Sequence, residues 1–201
     1  MNKIKKIIAK KNKSKIVCLT SYSKSVSKIL DKYCDIILVG DSLGNVLYGM
    51  KNTHKVSLQM MIDHAVSAKQ GCNKSLLVVD MPKGTYKNSK IALKNAKKIM
   101  VKTKCDAIKI ESNSKNFDII KHLVKSKINV MGHIGYTPQI KKKFKVEGRN
   151  PEEINRLIVE ANKIERAGAF SIVLECVSSV ASKKITDSLK IPTIGIGSSL
   201  N

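Results

Sequence analysis

The sequence predicts an α/β fold: a parallel sheet closed into a (β/α)8 TIM-type barrel that lacks the eighth strand–helix unit. Seven short, nearly continuous apolar runs carry that prediction, at 16–20, 36–40, 76–80, 107–111, 128–133, 170–175 and 193–197. Runs of this kind suit parallel strands covered on both faces. Amphipathic stretches separate them, and strict strand–helix alternation argues for a parallel sheet. No GxGxxG follows the first run, which disfavours an open dinucleotide-binding sheet and favours the barrel. A full barrel takes eight units and about 250 residues. This sequence has 201 residues and ends just past the seventh run, so seven units are expected in one domain, 1–201, with a basic helix or arm at about 1–15.

The connecting segments carry helical spacing in turn. Residues 57–70 place Leu58, Met61, Ile62, Ala65 and Val66 on one face, and 88–103 do the same with Ile91, Ala92, Ala96, Ile99 and Met100. Residues 114–126 follow with Phe117, Ile120, Leu123 and Val124. The clearest helix is 150–168. Asn150 can cap it, Pro151 suits its first turn, Glu152 and Glu153 favour the positive end of its dipole, and Gly168 can close it. A last helix is expected at 178–189.

Composition narrows the function classes. The formal charge is +23, but 35 of the 38 basic residues are Lys and three are Arg. Base reading leans on Arg, and single-strand binding on interleaved aromatics, which make up 4% here without a Trp. The lysines spread along the whole chain, so a solvated surface that attracts small anions is expected, with no specific nucleic-acid partner. The five cysteines are scattered and form no CxxC pair, which disfavours a disulfide framework or a zinc site. Cys18 and Cys176, inside apolar runs, read as core residues. No apolar run approaches the ~20 residues that span a bilayer. The basic N-terminus lacks the apolar segment of a signal peptide, and a cytoplasmic protein is expected.

The informative residues are the acids at the run ends. Asp41 follows ILVG, Asp80 ends LLVVD, Glu111 ends AIKIE, and Glu175 ends SIVLE; His133 ends a fifth run. In a parallel barrel all these ends converge on the face where active sites lie. One such Asp alone often only caps the next helix. Several carboxylates on one rim repel each other, and a bound divalent cation relieves that repulsion. Oxygen ligands favour a hard ion such as magnesium, so Asp41, Asp80 and Glu111 are the expected metal group. Lys109 and Glu111 lie two apart on one strand and face the same way. A structural Lys–Glu ion pair is one reading, and a cation for a substrate carboxylate is the other.

The segments LVGDSLGNVLYG (38–49), VVDMP (78–82), IKIE (108–111), MGHIGYTPQ (131–139), KVEGR (145–149), AGAFSIVLECV (167–177) and IPTIGIGS (191–198) together resemble the ketopantoate hydroxymethyltransferase family. The resemblance implies a magnesium-dependent barrel of the phosphoenolpyruvate-mutase type, early in pantothenate synthesis. It implies transfer of a hydroxymethyl group from 5,10-methylenetetrahydrofolate to 3-methyl-2-oxobutanoate, giving 2-dehydropantoate through a magnesium-stabilised enolate. Asp41 and Asp80 would be metal ligands that also contact the oxo acid, and Glu111 would complete the metal shell. Ser42, Lys109 and His133 would bind substrate, Lys109 through the carboxylate. Glu175 would be the proton acceptor. The family also implies a homo-oligomer. Two departures stand out: Lys141–Lys143 in a shortened segment before KVEGR, and Lys83–Gly84 after VVDMP, where the family is apolar. Two other readings stand beside this one: a magnesium-dependent oxo-acid lyase or mutase of the same superfamily, and a truncated relative with a structural role.

Overall fold

The apolar runs pair in the order in which they are made. The protein is described by a computed structural model that covers residues 2–112, 116–141 and 143–199. Its strands are β1 (Cys18–Thr20), β2 (Ile36–Val39), β3 (Leu76–Asp80), β4 (Ala107–Glu111), β5 (Val130–Gly135), β6 (Ser171–Glu175) and β7 (Thr193–Ile196). All neighbours pair in parallel, in chain order. They form a nearly closed TIM-type barrel; among the described residues β7 and β1 do not pair. Leu19 on β1 and Ile196 on β7 are exposed along those two flanks.

Parallel pairing requires a crossover between successive strands, and helices supply it. They are α1 (Lys3–Ala9), α2 (Lys24–Leu30), α3 (Leu43–Val46), α4 (Leu58–Lys69), α5 (Ser89–Thr103), α6 (Phe117–Lys125), α7 (Pro151–Arg166) and α8 (Ser179–Ser188). The expected Asn150 cap forms, and Asn88 and Ser57 cap α5 and α4 as well. Asn150 accepts from the Glu153 N–H at 2.8 Å, Asn88 from Ile91 at 2.9 Å and Ser57 from Met60 at 3.1 Å. Gly168, at φ +94°, takes the left-handed turn after α7. The segment expected to start α6 includes Ser114 and Lys115, which lie outside the described residues.

Several expectations needed correction. The first strand begins at Cys18 and not at residue 16, and the fifth runs on to Gly135. α2 and α3 were not anticipated; α2 does carry helical spacing at Val26, Ile29 and Leu30, but Val26 and Ile29 are exposed. The helix instead buries Ser27, and a Cβ on Gly71 would come within 2.3 Å of the Lys24 carbonyl, so α2 packs by close backbone approach. Cys18 is only half-buried, because β1 is a flank strand and its inner face opens on a cavity.

Alternation along the strands separates two cores. Ile37, Val39, Leu77, Val79, Ile108, Ile110, Ile172 and Leu174 face the helices. Ile36, Leu76, Val78, Ala107, Met131 and Val173 face the barrel axis. The basic N-terminal segment has a definite place: Ile4 and Ile7 of α1 pack against this inner cluster. Among the described residues, no helix is long and apolar enough to cross a membrane.

Candidate active site

The inward face of each strand changes character in one step. Val78 is followed two residues later by Asp80, Ala107 by Lys109, Met131 by His133, and Val173 by Glu175. Residues two apart share a face, so an apolar layer is topped by a charged one. A cavity of about 930 Å³ opens above it, lined by Asp41, Ser42, Asp80, Lys109, Glu111, His133 and Glu175. These are all of the site residues expected from the sequence.

Register decides who pairs with whom. Lys109 on β4 lies opposite Asp80 on β3, and its Nζ stands 3.0 Å from Asp80 Oδ1. The alternative Lys109–Glu111 pair is therefore corrected: the partner is across the sheet, not along the strand. Lys109 Nζ also lies 3.4 Å from His133 Nδ1. An ammonium only donates, so Nδ1 accepts and the imidazole proton sits on Nε2. That Nε2 stands 3.2 Å from Glu175 Oε2. Burial, and then the Lys109 charge, hold His133 below its ordinary pKa, which keeps the ring neutral against the opposing pull of Glu175. A chain of contacts thus runs from Asp80 through Lys109 and His133 to Glu175, over four adjacent strands.

The acids are under electrostatic load. Burial pushes Glu111 up to about 9; Lys109 opposes this, while Asp41 and Asp80 add to it. Burial likewise raises Asp80, against the pull of Lys109. Lys109 itself is lowered by burial, but Asp80, Asp41 and Glu111 outweigh that and leave it raised, hence protonated. One ammonium faces three carboxylates. Asp80 Oδ1 is buried against the Lys109 ammonium, and Oδ2 accepts from the Asp41 N–H at 3.0 Å. Among the described residues no three His, Cys, Asp or Glu are gathered into a ready-made metal cage. The donor chemistry nonetheless fits a hard divalent cation: buried carboxyl groups that outnumber the one ammonium could hold it.

Sequence reasoning missed several polar neighbours. The Tyr22 hydroxyl lies 2.8 Å from Ser42 Oγ, and Tyr22 O is 2.9 Å from His64 Nδ1. Gln139 closes the quoted GHIGYTPQ segment, yet nothing in its spacing says that it folds back to Asp41, 98 residues away, which it contacts at 2.8 Å. Gly135 makes that return possible. Its φ is +93°, and a Cβ there would come within 2.2 Å of the Glu175 carbonyl. The segment after it lines the cavity through Tyr136, Pro138 and Lys141, and Lys141 Nζ pairs with buried Glu147 at 2.8 Å. Of the three-lysine run, Lys142 lies outside the described residues.

The whole chain, residues 1–201, matches the sequence profile described as ketopantoate hydroxymethyltransferase. The chain belongs to the ketopantoate hydroxymethyltransferase family. Within it, the chain is 55% identical over 199 residues to the 3-methyl-2-oxobutanoate hydroxymethyltransferase of Pelagibacter ubique (strain HTCC1062), covering 99% of this chain and 77% of that one. The fold is similar to that of 2,3-dimethylmalate lyase, a member of the PEP mutase/isocitrate lyase superfamily, with a TM-score of 0.71 at 12% identity, covering 97% of this chain and 72% of the other. It is also similar to phosphonopyruvate hydrolase in complex with oxalate and Mg2+, with a TM-score of 0.64 at 11% identity, covering 98% and 81%.

Proposed function

We propose that the protein transfers a hydroxymethyl group from 5,10-methylenetetrahydrofolate to 3-methyl-2-oxobutanoate, giving 2-dehydropantoate and tetrahydrofolate. The observation that carries this reading is the convergence of seven polar side chains from the strand ends and the loop after β2 on one cavity. Family membership, with a relative of that name at 55% identity, supports the reaction class. The oxalate and Mg2+ reported for the phosphonopyruvate hydrolase, a protein of similar fold, agree with a cation and a small oxo acid in such a cavity.

Asp41 and Asp80 would hold Mg2+, with Glu111 completing the set. When bound, that ion supplies Lewis acidity, drawing electrons from the oxo acid and acidifying its C3–H. Lys109 is charged and buried, so it can take the substrate carboxylate while remaining beside Asp80. The Ser42 hydroxyl, steadied by Tyr22, can hydrogen-bond the oxo acid. Glu175 accepts the proton from C3. His133, neutral and with its proton on Nε2, faces that carboxylate and fixes its direction. The electron pair left on C3 forms the bond to the one-carbon unit as one of that unit's two C–N bonds to the folate breaks. Water then displaces the second, its hydroxyl staying on the carbon, while its proton and the one taken from C3 go to the two nitrogens of the departing tetrahydrofolate.

The test is direct. Purified protein with Mg2+, 3-methyl-2-oxobutanoate and methylenetetrahydrofolate is expected to form 2-dehydropantoate. Without the folate it is expected to exchange the C3 proton of the oxo acid for deuterium in a metal-dependent way. No product and no metal-dependent exchange would overturn the reading. Exchange without product would leave the oxo-acid chemistry standing and reject the folate donor.

A further inference from the structure

We infer that Gln139 is a positioning residue that holds Asp41 and Glu111 in place from behind the cavity, so that these two acids meet a divalent cation in one fixed arrangement. This rests on the metal reading above.

Gln139 is 4% exposed, and it is absent from the cavity lining that includes Pro138 and Lys141 on either side of it. It therefore acts through other residues. Its amide Nε2 donates to Asp41 Oδ2 at 2.8 Å and to the Met81 carbonyl at 3.0 Å. Both partners only accept, so the NH2 group must face them and the amide oxygen must face the other way. There Tyr86 donates its hydroxyl to Gln139 Oε1 at 2.6 Å. The backbone N–H of Gln139 donates to Glu111 Oε2 at 3.0 Å. One residue thus ties together the ends of β2, β3 and β4.

The chemistry suits an amide better than other side chains. A lysine would add a charge and compete with the cation. A carboxylate would repel Asp41. A hydroxyl could not donate twice. Both amide hydrogens are used, and each acid is held through one oxygen, with its second oxygen outside these bonds. Leaving a buried amide unsatisfied is costly, so four contacts strongly determine its position. Burial, and then Glu111, Asp41 and Asp80, push the Tyr86 phenol up, so the donor that orients the amide stays protonated.

The test uses the full chain and Mn2+ as the probe. Mn2+ binding is read by electron paramagnetic resonance, and C3 deuterium exchange is read against metal concentration. Gln139→Leu keeps the backbone N–H to Glu111 and removes both amide donors. Loss of an outer partner of a metal ligand typically weakens metal affinity ~10–100-fold. We expect a weakening of that size, with a matching rise in the metal concentration for half-maximal exchange. Exchange at saturating metal should stay near that of the unaltered protein. A merely structural role would lower the unfolding temperature and leave the Mn2+ dissociation constant unchanged, which would overturn the inference. Should Gln139→Leu fail to fold, Tyr86→Phe carries the test. It removes the donor to Oε1 and is expected to weaken Mn2+ binding by a smaller factor, and unchanged affinity overturns the inference equally. If the unaltered protein binds no Mn2+, the metal reading itself fails, and this proposal with it.

Discussion

The two ends of the barrel are built from the same strands and the same inward register, yet they do opposite work. At the N-terminal end Leu76, Ala107 and Phe170 meet Ile4 and Ile7 of α1 in a closed apolar layer. At the other end, Asp80, Lys109, His133 and Glu175 line an open cavity. Two residues along a strand, about 7 Å, separate a layer whose burial stabilises from one whose burial is costly. Apolar groups need only be covered. Charged groups need partners, and here the partners come from neighbouring strands: Asp80 with Lys109, and His133 with Glu175. Stability and chemistry can share one sheet because they occupy different layers of it.

That division can be broken from either end. The largest effect is expected at the rim: Glu175→Gln should slow C3 proton exchange by ~10²–10⁴-fold, the usual contribution of a general base, with little change in the unfolding temperature. Next comes Lys109→Met, measured by urea unfolding in the presence of chelator. It strands Asp80 as a buried carboxylate and should cost about 3–5 kcal/mol; the Asp80→Asn, Lys109→Met pair should recover much of that. If the single variant is as stable as the unaltered protein, the pair does not hold the rim.

At the floor, Leu76→Ala should cost about 2–5 kcal/mol by the same urea measurement. The exchange rate per folded molecule should be unchanged. A comparable loss of exchange would show that the two layers are not separable.

The smallest effect sharpens the comparison between buried and exposed acids. Glu153 sits at the surface, and its carboxylate pairs with Lys145 at 2.9 Å and accepts from the Arg149 and Gly148 N–H groups. These partners, Lys145 first, hold it down to about 2 from 4.5. Buried Glu111 moves the opposite way. A carboxyl depressed in the folded state adds stability above its unfolded value and loses it as pH falls. Folding stability should therefore drop between about pH 4.5 and 2, and Glu153→Gln should flatten the unfolding temperature in that window. An unaltered slope would remove Glu153 as its source.

Much of this molecule was legible because burial leaves a pattern in the chain. Strands covered on both faces are largely apolar, so β2 to β6 stood out as runs, and the flank strands β1 and β7 followed from shorter apolar stretches. Capping leaves its own mark: Asn150, Pro151 and Gly168 bracketed α7 closely. α2 carried the spacing Val26, Ile29 and Leu30, but it is short, and it buries Ser27 while Val26 and Ile29 face solvent. Among the polar residues, an acid ending an apolar run is conspicuous, so Asp80, Glu111 and Glu175 could be singled out. Gln139 is an ordinary amide in an irregular segment, and its role exists only where that segment folds back.

The sequence by itself therefore determined the succession of strands, most of the helices, and which end of the barrel carries charge. These follow from apolar runs, helical spacing and the cost of burying polar groups, all of which are local rules. Only the tertiary structure decided the partners. Lys109 pairs with Asp80 and not Glu111 because strand register, a relation between chain segments far apart, sets one opposite the other. Gln139 reaches Asp41 because Gly135 turns the chain back toward the end of β2, and no local rule carries that information.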